Sequence, residues 1–163
     1  MTRLVLNREF LLRHAFSLAV FLSLGGWFGF DAFYRYPATP AKDLYFSIEK
    51  SEAPEGYDLE GFKKQKTQTQ CILAALTFLA ALGVGLHLLA AWRFDFSYDK
   101  EGFVYKGRRF SYTDIKSIDK SRWEKKNILV LLGEGWRITL DGWHHQGVRD
   151  FAETIKDSRN ADY

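Results

Sequence analysis

The sequence of 163 residues contains one cysteine, Cys71, and nearly balanced charges. A single thiol excludes an intramolecular disulfide and any metal site built from several cysteines. The net charge of +3, from 23 basic and 20 acidic residues, is too small for a protein that coats nucleic acid. Nothing in the sequence matches a nucleophile elbow, a phosphate-binding glycine loop or a carboxylate pair on one helix. We therefore expect a protein that is not an enzyme, binds no metal or cofactor and has no nucleic-acid partner.

Apolar residues are concentrated in segments, because 47% of the residues are hydrophobic while the mean hydropathy is only −0.24. The longest segment, 71–92, has 22 residues and no formal charge. A helix rises about 1.5 Å per residue and crosses a hydrocarbon core of about 30 Å in about 20 residues. The segment has no polar stripe, and the rest of the chain is too short to surround it as a soluble core helix. It is therefore predicted to be a transmembrane helix.

A second apolar segment lies nearer the N-terminus, at 15–30, and reaches spanning length when it is extended to about 12–34. Trp27 and Tyr34 then lie near a membrane interface, where amphipathic rings prefer to be. Three arginines precede the segment, as in a signal peptide, but no small-residue cleavage site follows it. We expect an uncleaved helix, so that residues 1–92 form a membrane anchor.

Basic residues near the two segments predict their orientation, since short Lys- and Arg-rich flanks stay in the cytoplasm. Five basic residues follow the second segment within about 16 residues, whereas the stretch from Asp31 to Gln70 has six basic and seven acidic residues. We expect both termini to be cytoplasmic, in a bacterial inner membrane, with the loop 35–70 outside. Three lysines just before the second segment oppose this orientation. Within the loop, 43–52 is predicted to be a short extended piece, and 58–70 to continue the second helix outward.

From residue 94 onward the continuous apolar runs give way to alternating apolar and polar residues, and glycines between these stretches indicate turns. The pattern predicts five or six short antiparallel strands between 94 and 140. Val148, Phe151, Ala152 and Ile155 then recur at helical spacing, which predicts an amphipathic helix from about 144 to 157. The fold class is thus membrane α+β: two transmembrane helices, then a small antiparallel β domain at 93–163 that a C-terminal helix closes.

The turn Tyr112-Thr113-Asp114-Ile115, within SYTDIKSI, and the closing segment DGWHHQGVRDFAETI carry a resemblance. Together with the preceding helix pair, they make residues 94–158 resemble the bacterial PH-like domains found in small membrane proteins. The resemblance implies a PH-like architecture and no particular biochemistry.

Basic side chains of the predicted β domain are the strongest candidates for a binding site. Beneath a membrane with an anionic inner face, each such residue contributes about 1 kcal/mol of attraction. Solvated strand edges with interspersed acids are an equally good interpretation. The candidates for binding lipid or a protein partner are Lys106, Arg108, Arg109, Lys116, Lys120, Arg122, Lys125 and Lys126.

Histidines and glycines of the helices give two further candidate sites, one for a haem and one for helix packing. His14 and His87 lie at similar depths of the predicted helices and could hold a haem between them, although hydrogen-bonded histidines are the favoured interpretation. His144 and His145 are expected at the polar start of the last helix. Gly83 and Gly85 would let another helix approach closely, either the first helix or one of another subunit.

These patterns predict a non-catalytic integral membrane protein, an accessory or scaffold subunit of a larger membrane complex. Its expected partners are membrane lipids and other integral membrane subunits, with the β domain binding a protein or the lipid surface. The alternative is a haem-binding electron-transfer subunit that uses His14 and His87.

Overall fold

Two long helices dominate the first part of the chain in the computed structural model, which describes residues 1–160. Helix α1 spans Arg8–Phe30 and continues through a π-helical turn, Asp31–Arg35, into the short helix α2, Tyr36–Ala38. Helix α3 spans Ala41–Glu49, and helix α4 spans Leu59–Trp92.

Residues 8–38 and 59–92 are the two stretches of helix that are long and apolar enough to cross a membrane. Only 17% and 11% of their most apolar windows are buried. A helix in the core of a soluble protein would be mostly buried, because its apolar surface would otherwise face water. The two predicted apolar helices are therefore confirmed, and both are longer than the predicted 12–34 and 71–92.

The prediction that 43–52 is extended was wrong, since Ala41–Glu49 forms α3. Ala41 and Leu44 are buried and Ile48 is half-buried, so the inward positions follow the three- and four-residue spacing of a helix. The helix ends at Lys50, whose φ of 58° lies in the left-handed region. The predicted outward extension of the second helix is confirmed, because α4 begins at Leu59.

Two of the lysines before the second apolar segment hold the loop together. The Lys63 ammonium donates to the carbonyl oxygens of Pro37 and Thr39, at 3.0 and 2.8 Å. Lys66 pairs with Glu49 at 3.6 Å. These local partners account for basic side chains at a place where the orientation rule did not expect them.

The second part of the chain forms antiparallel sheets. Its strands are β3 (Phe96–Tyr98), β4 (Gly102–Tyr105), β5 (Arg108–Ser111), β6 (Ile115–Asp119), β7 (Ile128–Gly133), β8 (Trp136–Asp141) and β9 (His145–Gln146). A 3-10 turn, Tyr112–Asp114, leads into β6, and the one-turn helix α5, Trp123–Lys126, precedes β7. Helix α6 spans Val148–Asn160. The predicted order of apolar helices, antiparallel strands and a C-terminal helix is confirmed.

Two short strands at the N-terminus, β1 (Thr2–Arg3) and β2 (Val5–Leu6), complete these sheets. Strand β1 pairs with β3 in a sheet of order β1-β3-β4-β5, and β2 pairs with β9. Leu4 between them is only 4% exposed and belongs to the hydrophobic core. The remaining sheet has the order β6-β7-β8.

The described chain accordingly divides into two compact units. Their boundaries differ from the predicted division at residue 92. The β unit comprises residues 1–13 and those from 87 onward, and the helical unit comprises residues 14–86. The N-terminal residues join the β unit because their backbone groups pair with β3 and β9. Strands of two residues leave no periodicity in the sequence, so the sequence did not predict them.

An aromatic core lies between the sheets and α6. Phe151 of α6 is fully buried and contacts the rings of Phe96, Tyr98 and Phe103, at centroid distances of 4.8, 5.0 and 6.0 Å. The predicted inward face of the helix is confirmed, because Val148, Phe151 and Ile155 are all buried.

The predicted start of this helix at residue 144 was wrong, because α6 begins at Val148. His145 and Gln146 pair with Leu6 and Val5 as strand β9 instead. Gly147 follows with a φ of +91°, a conformation that favours glycine, and turns the chain into the helix.

Candidate functional site

Most of the predicted basic residues fall into two groups in the β unit. Lys106 lies at the β4–β5 turn, and Arg108 and Arg109 are exposed residues of β5. The Arg109 guanidinium is 3.3 Å from an Asp99 oxygen and 3.0 Å from a Glu101 oxygen. Local acids thus neutralise part of this first group.

The Asp99 carboxylate is stabilised by the turn between β3 and β4. The backbone N–H of Glu101 donates to it at 3.0 Å and lowers its pKa, and the nearby Arg109 guanidinium and the N–H of Gly102 lower the pKa further. In the same region, burial raises the pKa of Tyr112 to about 12, and its hydroxyl donates to the Asp99 carbonyl at 2.6 Å. Arg109 thus pairs with a carboxylate that the turn itself holds in place.

Lys116, on β6, is also paired, at 3.4 Å from a Glu134 carboxylate oxygen. Asp119, at the end of the same strand, accepts the backbone N–H of Ser121 at 2.8 Å. The Ser121 hydroxyl and N–H lower the pKa of this carboxyl, and the positive charge of Arg122 adds to the effect. These cations therefore also lie beside acids of their own region.

The second group lines an open cleft of about 530 Å³, which we name the basic cleft. Ligand-binding clefts commonly measure about 300–1,000 Å³. Helix α5 forms one wall, and the loop after β8 together with the start of α6 forms the other. The cleft is lined by Trp123, Glu124, Lys125, Lys126, Asn127, Gly142, Trp143 and Arg149.

Backbone contacts hold these two walls together. Helix α5 stops at Asn127, whose φ of 55° is left-handed, and the Asn127 carbonyl accepts the N–H of Gly142 at 2.9 Å. A Cβ at Gly142 would lie 2.3 Å from the side-chain nitrogen of Asn127, so a larger residue here would displace the Asn127 side chain. The close approach places Trp143 opposite α5.

A neighbouring groove widens the positive surface. It shares Trp123, Glu124 and Arg149 with the basic cleft and adds Lys120 and Lys156 together with Ala152 and Glu153. Five basic and two acidic side chains therefore line the two depressions. The sequence had identified Lys120, Lys125 and Lys126. It missed Arg149 and Lys156, which lie on α6, and the two tryptophans.

The loop between β8 and α6 is fixed to the ends of both long helices. The His144 carbonyl accepts the N–H of Asn7 at 2.7 Å, just before α1 begins. The ring of buried His145 lies 3.1 Å from the Ala91 carbonyl, near the end of α4. The Arg13 guanidinium lies over the Trp143 ring, 5.2 Å from its centroid. Trp143 thus contacts the first turns of α1 within the β unit.

The histidines have aromatic surroundings. The His87 ring lies 5.6 Å from the ring of Phe10 and 5.1 Å from that of His144. His14 lies on α1 in the helical unit. Within residues 1–160, no three His, Cys, Asp or Glu side chains form a group able to hold a metal ion. His87 is exposed and contacts these two rings, and no observation within residues 1–160 favours the haem alternative.

Gly83 and Gly85 face open space. A Cβ at either position would have no heavy atom within 4 Å. Gly25 of α1 instead makes the close approach in the helical unit, since its Cβ would lie 3.0 Å from the Thr77 hydroxyl and 3.2 Å from the Phe78 ring. A side chain at Gly83 or Gly85 would therefore meet no other described element of the chain.

Comparison with known proteins assigns no family to the chain. No model of a protein family, no curated protein and no solved structure matches the chain.

Proposed function

We propose that the chain is a non-catalytic membrane protein with two spans, an accessory or scaffold subunit of a larger membrane complex. Both of its ends lie on the cytoplasmic side, and the loop between the spans lies outside. Its β unit is PH-like and works at the cytoplasmic surface of the membrane.

The observation that carries this proposal is the pairing of the N-terminus with the β unit. Thr2 pairs with Tyr98, and Leu6 pairs with His145. Helix α1 begins at Arg8 and α4 ends at Trp92, so each of the two helices has one end in the β unit. If both cross the bilayer, their starting points lie on one side. The excess of basic residues around these ends favours the cytoplasmic side.

The sheet topology supports a PH-like architecture. The two larger sheets have four and three strands, and β1 is the strand that brings the total to seven, the number in a PH barrel. Helix α6 closes the core through Phe151 and Ile155. The C-terminal region alone has too few strands in these two sheets for this architecture, and the N-terminal strand supplies the missing one.

The surface of α4 supports assembly with other membrane subunits. Large apolar side chains along it, including Leu79, Leu82 and Leu86, are exposed. Gly83 and Gly85 lie among them with open space beside them. Small residues allow helices to approach closely in membranes, where van der Waals packing stabilises association.

Purification from native membranes in a mild detergent tests the proposed role. We expect a second integral membrane protein to co-purify in constant stoichiometry. Gly83 and Gly85 point to nearly opposite sides of α4, so only one of them can lie on a given contacting face. Changing that glycine to leucine should reduce this co-purification at least tenfold, because the side chain blocks close packing worth about 1.4 kcal/mol or more. Neither Gly83→Leu nor Gly85→Leu should alter the unfolding temperature of the chain itself, since no atom lies within 4 Å.

Leu86→Ile provides a matched control, because it keeps an apolar side chain of the same size at an exposed position of the same helix. Purification of the unaltered chain alone, as a monomer, would contradict the proposed role. Full retention of the partner by both glycine variants would show that these residues do not form the contact.

A further inference from the structure

We propose that the basic cleft binds the phosphate headgroup of an anionic phospholipid in the adjoining membrane leaflet. The proposal rests on the proposed function in one respect, since it requires the β unit to lie beside a bilayer. It adds a ligand class and a specific site to that function.

The cations of the cleft are available to a ligand. Within the side chains that the structure describes, no carboxylate forms an ion pair with Lys125, Lys126 or Arg149. Arg109 and Lys116, outside the cleft, do have such partners. A guanidinium binds two phosphate oxygens at once, and ammonium groups add charge-assisted hydrogen bonds. The three side chains therefore provide the donors that a phosphate needs.

The two tryptophans fit a site at a membrane interface. Trp143 is 42% exposed, and Trp123 is half-buried in the opposite wall. An indole has an apolar body and one N–H donor, and it prefers the headgroup level of a bilayer. A wholly aqueous anion site would not need two such rings.

The position of the cleft relative to the helix ends favours a lipid over a soluble anion. The loop that carries Trp143 is hydrogen-bonded to Asn7 and Ala91, at the start of α1 and near the end of α4. Arg13, on the first turns of α1, contacts the Trp143 ring. Where these apolar helices enter a bilayer, the nearest abundant anions are the headgroups of that leaflet.

The acidic residues in and beside the cleft favour a small anionic group over a long polyanion. Glu124 lies among its cations, and Glu153 lies in the adjoining groove. Two carboxylates among these cations limit the attraction for a long polyanion. The balanced charge of the whole chain agrees with this limit.

Titration of the full chain in a neutral detergent with short-chain soluble lipids tests the site. The affinities of dihexanoyl phosphatidylglycerol, dihexanoyl phosphatidylcholine, inorganic phosphate and an acidic peptide are measured by thermophoresis. We expect phosphatidylglycerol to bind most tightly. The variant Lys125→Gln/Lys126→Gln/Arg149→Gln should weaken its binding about a hundredfold, because each cation contributes about fivefold.

A matched control removes the same charge outside the cleft. Lys100→Gln/Arg108→Gln/Arg137→Gln alters three exposed residues of the β unit and should weaken binding less than about threefold. If the triple variant of the cleft unfolds, Lys126→Gln alone should still weaken binding about fivefold.

Equal effects of the two triple variants would overturn the site, because binding would then follow net charge alone. Equal affinity for the two lipids, or tighter binding of inorganic phosphate or of the acidic peptide, would overturn the ligand class. Sidedness and co-purification are measured separately. Their failure would remove the proposed function, whereas failure of the titration alone would remove only the headgroup site.

Discussion

Leu82→Arg should reduce the amount of membrane-integrated protein about a hundredfold. Leu82 lies within the apolar part of α4 and is 57% exposed. Placing arginine near the centre of a span costs about 2.5–3.5 kcal/mol on insertion scales. No acidic residue lies between 71 and 92 to pair with the new charge. Immunoblots of carbonate-washed membranes measure the effect.

Lys64→Arg is the control on the same helix, since it keeps a charge in the polar part that precedes the apolar run. It should leave the integrated amount unchanged. Normal integration of Leu82→Arg would contradict the account of α4, because an exposed position on a soluble helix tolerates arginine at little cost.

Phe151→Ala should destabilise the β unit by about 3–5 kcal/mol, the usual range for removing a fully buried phenylalanine. Phe151 is completely inaccessible, and its ring contacts Phe96, Tyr98 and Phe103 across the core. The cavity would separate α6 from the strands. Thermal unfolding of the full chain in detergent, followed by near-ultraviolet circular dichroism, measures the loss.

Glu153→Ala, on the exposed side of the same helix, should change the stability by less than about 0.5 kcal/mol. A loss below about 1 kcal/mol for Phe151→Ala would contradict the packing, because a core aromatic cannot be removed at so small a cost unless the site collapses around it.

Long regular patterns of the sequence predicted the main elements. The uncharged run 71–92 predicted α4, and the spacing of Val148, Phe151 and Ile155 predicted the inward face of α6. The strands β7 and β8 were evident because Glu134 and Gly135 connect two apolar runs, and Gly135 adopts the φ of +73° that this tight turn requires.

Short elements were harder to predict, because their signals depend on distant partners. Strand β1 exists through its hydrogen bonds to β3, more than 90 residues away in sequence, and two residues carry no period. In segment 41–49 the apolar residues fit both the two-residue spacing of a strand and the three- to four-residue spacing of a helix. The segment forms a helix, in which Ala41 and Leu44 are buried.

The candidate site was predicted only in part for the same reason. Lys125 and Lys126 are adjacent in sequence and were identified as a basic cluster. Trp143 and Arg149 join them through the contact between Asn127 and Gly142, which the sequence does not reveal. Conversely, Arg109 was a candidate by charge, and the sequence did not show that it pairs with Asp99 and Glu101.

Cysteine labelling in sealed cells tests most directly whether the two helices span the membrane, with the β unit inside and the loop outside. In a Cys71→Ser background, cysteine is introduced at Ser51 in the loop or at Ser117 on β6, two exposed positions. A membrane-impermeant thiol reagent should label Ser51→Cys in intact cells and Ser117→Cys only after the membrane is opened. Labelling of Ser117→Cys in intact cells, or protection of Ser51→Cys, would contradict this arrangement.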